Sequence, residues 1–254
     1  MEKKVVLSLS ESVGFTLPKV ETEELDGVIL AKINNRKKAL KKLVKLCRGY
    51  DILLSKRSDK SEIFNEIKRN WDCFTPESVI PVINKICRQV SLKFGYSIPF
   101  EEIYIFAEQS LALRVIEQIK NLARLFTVIS PEKADTKLYD KLYFKHCAMV
   151  RHLEKMPKVI KDDSMIICFE DYSLPVKCKS PFVNFTDKKA GVCNEVYGKK
   201  IYVSDASMKE IEEQWGGNSG LALFELFGVK TGQESTVDIN NCADDIFLLD
   251  IAGF

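Results

Sequence analysis

Between residues 103 and 152 the chain alternates between short apolar, β-branched runs and stretches with apolar residues at helical spacing. Ile103-Tyr104-Ile105-Phe106 reads as a strand, 110–122 as a helix and 125–129 as a second strand. A shorter helix over 136–144 and a third strand, Ala148-Met149-Val150, complete the unit. This β-α-β-α-β order predicts a parallel sheet with right-handed crossovers.

A second, shorter unit precedes it. Strands are expected at 5–10, 28–31 and 51–54, the region up to Asp26 being turn-rich or edge structure. Leu40, Leu43, Val44 and Cys47 mark an amphipathic helix between the last two, with Asn34 and Asn35 as caps and Gly49 as its stop. Two further helices are read over 60–71 and from Pro76 or Pro81 to Gly95. After about residue 155 short strands are expected at 165–169, 183–185 and 201–203, a helix over 208–215 and a last strand over 245–251. The expected class is α/β, a mainly parallel, Rossmann-like sheet with crossover helices and a mixed α+β carboxyl-terminal portion. Residues 1–155 would form the α/β domain and 156–254 the mixed portion, within the same domain or apart from it.

Composition changes little in this picture. A chain of 254 residues with 46% hydrophobic and 29% charged residues has ordinary globular composition. Charge is uneven: residues 1–60 hold fourteen Lys/Arg against eight Asp/Glu, and residues 204–254 hold two Lys against ten Asp/Glu. Ends of opposite sign could attract each other within the fold or face different partners. Seven cations, Arg36, Lys37, Lys38, Lys41, Lys42, Lys45 and Arg48, crowd one helix without an acidic neighbour. They could track phosphates, but no aromatic residue is interleaved to stack bases. A solvated face is the favoured reading, and nucleic-acid binding through helix 36–48 is kept only as a second alternative function. Eight scattered cysteines with no Cys-x-x-Cys pair, and the lack of an export signal, point to reduced thiols in a cytoplasm. No stretch approaches the roughly 20 apolar residues of a membrane span.

In parallel sheets ligands gather beyond the carboxyl ends of the strands. The three strands of the central unit would bring Glu108 and Ser110, Ser130 and Glu132, and Arg151 and His152 to one rim. Ser110 and Ser130 suit helix capping, and His152 could share a proton with Glu108 or Glu132 if they come within reach. Arg151 supplies a cation for a small phosphate- or carboxylate-bearing metabolite. An alternative anion site uses Asn35, Arg57 and Ser58 in the first unit, at two helix amino termini.

Several motifs are absent. No glycine lies between Gly95 and Gly191, so the central unit lacks the glycine fingerprint of a standard NAD site. Neither a G-x-x-x-x-G-K-[ST] loop nor a G-x-S-x-G elbow occurs. Nothing in the spacing supports zinc, and the cofactor stays unassigned. Gly216 to Gly220 is the densest glycine loop, read as a sharp turn between helices. The alternative function is a non-catalytic module, of degenerate enzyme fold, that binds a protein.

Overall fold

The computed structural model describes residues 4–10, 17–25, 28–34, 36–55, 68–70, 79–170, 178–186, 190–204, 208–209, 212–213, 235–243 and 246–250. The chain forms two compact units. Unit 1 takes residues 1–75, 202–235 and 242–254, and unit 2 takes 76–201 and 236–241. The division near residue 75, rather than 155, has a simple cause. The two β-α-β units expected from the sequence build different sheets, each with its own core.

Unit 1 holds a six-stranded mixed sheet. It contains β1 (Lys4–Ser10), β2 (Val20–Leu25), β3 (Val28–Asn34), β4 (Asp51–Ser55), β5 (Lys68–Asn70) and β14 (Ile246–Asp250), in the order β2-β3-β1-β4-β14-β5. β1 is parallel to β3 and β4, while β2 and β14 run antiparallel to their neighbours. Helix α1 (Lys37–Leu46) crosses from β3 to β4 over β1. Its Ala39, Leu40 and Leu43 are buried against Val5, Leu7, Ala31, Ile33, Ile52 and Leu54. Val6, Leu30 and Leu53 on the other face are buried too, as their unbroken apolar runs require.

Two local expectations are corrected here. Asn34 does not cap α1. It ends β3, donates to Leu17 O at 2.8 Å and accepts from Lys19 N at 3.1 Å, which anchors the entry into β2. Arg36 occupies the cap position with no side-chain bond. Residues 68–70, expected at the end of a helix, form β5, because pairing with β14 overrides a helical pattern. The rest of that helix and the glycine loop 216–220 lie outside the described residues.

Unit 2 is built on six parallel strands: β6 (Phe100–Phe106), β7 (Ala123–Ile129), β8 (Met149–Leu153), β9 (Ser164–Cys168), β10 (Phe182–Asn184) and β11 (Glu195–Tyr197). Their order is β11-β10-β9-β6-β7-β8. Numbered within the unit this is 3-2-1-4-5-6 read from the β8 side, the dinucleotide-fold order. Helices α3 (Gln109–Ile119) and α4 (Thr136–His146) make the two crossovers from β6 to β8. Helix α2 (Ile83–Phe94) packs beside α3 and ends at Gly95, whose φ of 72° is a left-handed stop that favours glycine. The chain then returns past β7 and β6 to reach β9. This return, 154–163, is an irregular strap whose Met156 and Ile160 pack on Tyr104, Phe106, Ile129, Ile166 and Phe182. Two more strands, β12 (Ile201–Ser204) and β13 (Thr236–Cys242), lie outside both six-stranded sheets. Among the described residues no helix is long and apolar enough to cross a membrane.

Candidate functional site

The direction of travel through the unit 2 sheet reverses between β6 and β9. In open sheets of this order ligands gather beyond the carboxyl ends of the strands at that switch point. Glu108 and the first turn of α3 follow β6 there, and Phe169 and Glu170 follow β9. Phe169 N donates to Phe106 O at 2.9 Å, and Phe185 N donates to Cys168 O at 2.8 Å, so the chain ends of β6, β9 and β10 are tied together. The rings of Phe169 and Phe185 stack with centroids 4.8 Å apart. Gly198 lies against Phe185 so closely that a Cβ there would fall 2.0 Å from the ring.

The six rim residues expected from the sequence separate into three groups. Glu108 and Ser110 are together, because Ser110 Oγ donates to Glu108 Oε1 at 2.8 Å. Neither side chain caps α3. Glu108 is the cap residue, but its side chain makes no capping bond to the helix backbone, and the first turn holds no acid. Ser130 and Glu132 form a local turn, with Glu132 N donating to Ser130 Oγ at 3.4 Å. Ser130 does not cap α4 either. Asp135 does, accepting from Lys137 N and Leu138 N.

Arg151 and His152 are not beyond the third strand, because β8 continues through both to Leu153. As neighbours in a strand they project to opposite faces. Arg151 lies on the strap face, where its Nη2 is 2.6 Å from Glu102 Oε1 and its Nε donates to Thr127 Oγ1 at 3.2 Å. Thr127 and Tyr104 also donate to Glu102, the latter at 2.9 Å. Register explains the cluster, since Tyr104, Thr127 and Arg151 are cross-strand partners. Glu102 is buried, and Arg151 is its counter-ion rather than a cation of the rim.

His152 lies on the α4 face, stacked on Tyr139 with centroids 6.2 Å apart. Its Nε2 is buried and finds no hydrogen-bond partner among the described residues. Neither Glu108 nor Glu132 bonds to it. The acid–base pairing considered from the sequence is therefore not assembled.

A feature the sequence reading missed is the role of Gln109, which links the start of α3 to the β7–α4 connection and to α4. Its Nε2 donates to Lys133 O at 2.7 Å and to Glu132 Oε2 at 3.3 Å. Its Oε1 accepts from Asp135 N at 2.9 Å and from Tyr139 Oη at 3.0 Å. Nothing in the sequence marked Gln109 as buried, so its bonds were visible only in the fold. Burial, with the charges of Asp135 and Glu132 adding to it, pushes the Tyr139 phenol up to about 12. Burial and the bond to Glu102 do the same to Tyr104, also to about 12.

Both phenols are neutral in the fold at pH values where an unfolded tyrosine, near pH 10, is ionised. Their contribution to stability is full below about pH 10 and falls away as pH rises towards 12. Absorbance titration is therefore expected to show at least two late-ionising tyrosines, accompanied by alkaline destabilisation. Replacing Tyr139 with Phe should remove one of the late ionisations.

Asn35, Arg57 and Ser58, the alternative anion site, lie outside the described residues. Among the described residues no cluster of three or more His, Cys, Asp or Glu is set to hold a metal ion. No protein-family model matches the chain, and no curated protein matches its sequence.

Proposed function

We propose that unit 2 binds a small metabolite carrying a phosphate or carboxylate in the crevice between the ends of β6 and β9. The carrying observation is the strand order, whose reversal falls where α3 presents an amino terminus that no side chain caps. Free N–H groups and the helix dipole favour an anion there. Arg151 does not take part, so the backbone of α3 has to supply the attraction. Glu108, Glu132 and Glu170 around the rim would repel a highly charged ligand and could accept from its hydroxyl groups. A ligand with one anionic group and several hydroxyls fits this arrangement best.

The test is a thermal-shift panel of sugar phosphates, nucleotides and hydroxy acids, run on the wild type and on Ser110→Asp. The new carboxylate would sit in the first turn of α3, where it favours the helix and competes with a bound anion. At a hundred times its dissociation constant a ligand adds about 2.7 kcal/mol, so a clear shift is expected in the wild type and little or none in Ser110→Asp. An undiminished shift in the variant, or no shift with any compound, would overturn the proposal. In the latter case the exposed Tyr143, Phe144 and Met149 near β8 would favour the protein-binding alternative.

A further inference from the structure

The open edge of the unit 2 sheet is a second surface, independent of any ligand beyond β6 and β9. β8 is the last strand on its side, and its register with β7 is regular throughout. Leu153 O accepts from Ser130 N at 3.1 Å, so the backbone of Leu153 faces β7. Backbone groups alternate along a strand, and those of Met149 and Arg151 therefore face β7 as well. The N–H and C=O groups of Val150 and His152 point the other way, and among the described residues none of them has a partner. Open edges are ordinarily protected by a lysine or proline on the strand itself or by a bulge. Met149–Leu153 has none of these. Met149 is 58% exposed, and the charge of Arg151 is held by Glu102.

Helix α4 sets the chemistry above that edge. Its Tyr139 and His146 reach α3 through Gln109 and Lys120. At about 100° per residue these two lie on one flank of the buried Leu142, and Leu138, Lys141 and Lys145 lie on the other. That outer flank is on the side of the open edge, since α4 is the last crossover and α3 its inward neighbour. Leu138 is 36% exposed there. Lys137, Lys141 and Lys145 are exposed and hold no ion pair among the described residues. The helix dipole accounts for Lys145 in the last turn, but not for Lys137 and Lys141. Their spacing of about 6 Å along the axis is close to the roughly 7 Å between same-face residues of an extended chain.

Together these features select one occupant. Outward N–H and C=O groups on a strand are matched by an extended polypeptide, not by a lipid surface or a nucleic acid. A second copy pairing through its own β8 would bring two like lysine rows together. We infer that β8 adds an extended, acidic segment of another protein to the sheet. Its backbone pairs with Val150 and His152, and its carboxylates with Lys141 and Lys145.

The probe is a short fluorescein-labelled peptide of alternating glutamate and valine, titrated with the full chain by fluorescence anisotropy. One control has lysine in place of glutamate, and the other has every backbone amide N-methylated. Both should bind at least about ten-fold more weakly than the probe. Lys141→Glu/Lys145→Glu should weaken probe binding by at least about ten-fold, because attractions become repulsions. Val150→Pro removes an outward N–H and leaves the ladder with β7 intact, so a loss of binding is expected there too. Hydrogen exchange gives a readout on the wild type. The probe should slow the Val150 and His152 amides and leave Arg151 and Leu153, already facing β7, unchanged. No binding of the probe, equal binding of either control, an unaffected Lys141→Glu/Lys145→Glu variant, or no slowing at Val150 and His152 would each overturn the inference. So would protection of those two amides that grows with protein concentration in the peptide-free chain, since a second copy would then be the occupant.

Discussion

Arg151→Met is expected to lower the stability of unit 2 by about 3 kcal/mol, an effect larger than that of most single substitutions. The substitution keeps most of the stem's bulk and removes the charge. Glu102, 3% exposed in its side chain, would then be a buried carboxylate without a counter-ion. Breaking such a pair costs about 3–5 kcal/mol, and the half-exposed guanidinium places this case at the lower end. Hydrogen exchange of the β6 and β7 amides would measure the loss residue by residue. The cause is separable, because Glu102→Gln removes the stranded charge, leaving one oxygen to accept from Thr127 and an amide that can donate to the Tyr104 hydroxyl. Glu102→Gln/Arg151→Met should recover at least half of the deficit. A double variant no better than the single would show that packing of the Arg151 stem, not charge, holds the strands.

Phe106→Ala is expected to cost unit 2 about 3–5 kcal/mol. Phe106 is fully buried at the carboxyl end of β6, in the cluster with Tyr104, Ile129, Ile166, Cys168 and Phe182 that the strap covers. Truncation removes the transfer energy of a ring and leaves a cavity beneath Met156 and Ile160. Since whole-domain stabilities are about 5–15 kcal/mol, the loss should be visible as easier local opening of the strap and of β9. With two units present, one global unfolding curve is not an adequate measure. Amides of β6 and β9 should exchange faster, while those of β1 and β3 serve as the internal reference. A loss below about 1 kcal/mol would mean that the strap collapses into the space.

Much of this architecture was legible in the sequence because its strongest signals are local. The apolar runs around residues 103, 126 and 166 become the buried parts of strands, and the spacing of Leu40, Leu43 and Cys47 becomes the buried side of α1. Gly95 ends α2 as expected. Non-local facts were not legible. Whether two β-α-β units share one sheet depends on pairings between distant segments, and so does the insertion of β14 between β4 and β5. The three-residue strand β11 exists through its pairing with β10, and a run as short as Glu195-Val196-Tyr197 did not announce it. The rim was harder. Ending the third strand at Val150 instead of Leu153 moved Arg151 and His152 from mid-strand to a loop. A three-residue error in one boundary placed a structural ion pair in the candidate site. Glu102, its partner, reads as a polar residue at the start of a strand, and only register reveals its cross-strand company.

The interleaving of the units in the chain has a consequence for biosynthesis. All six strands of the unit 2 sheet lie between residues 100 and 197, whereas the unit 1 sheet needs β14, at 246–250, between strands encoded before residue 71. At about 5–20 residues per second, translation from β11 to β14 takes roughly 3–10 s. During that interval the later-encoded sheet can be complete while the first-encoded one still has an open edge at β4. An exposed strand edge is a template for mispairing. The nascent chain is therefore most vulnerable at its beginning, and a pause or truncation before residue 246 would leave the unit 2 sheet complete while unit 1 stays unfinished and aggregation-prone.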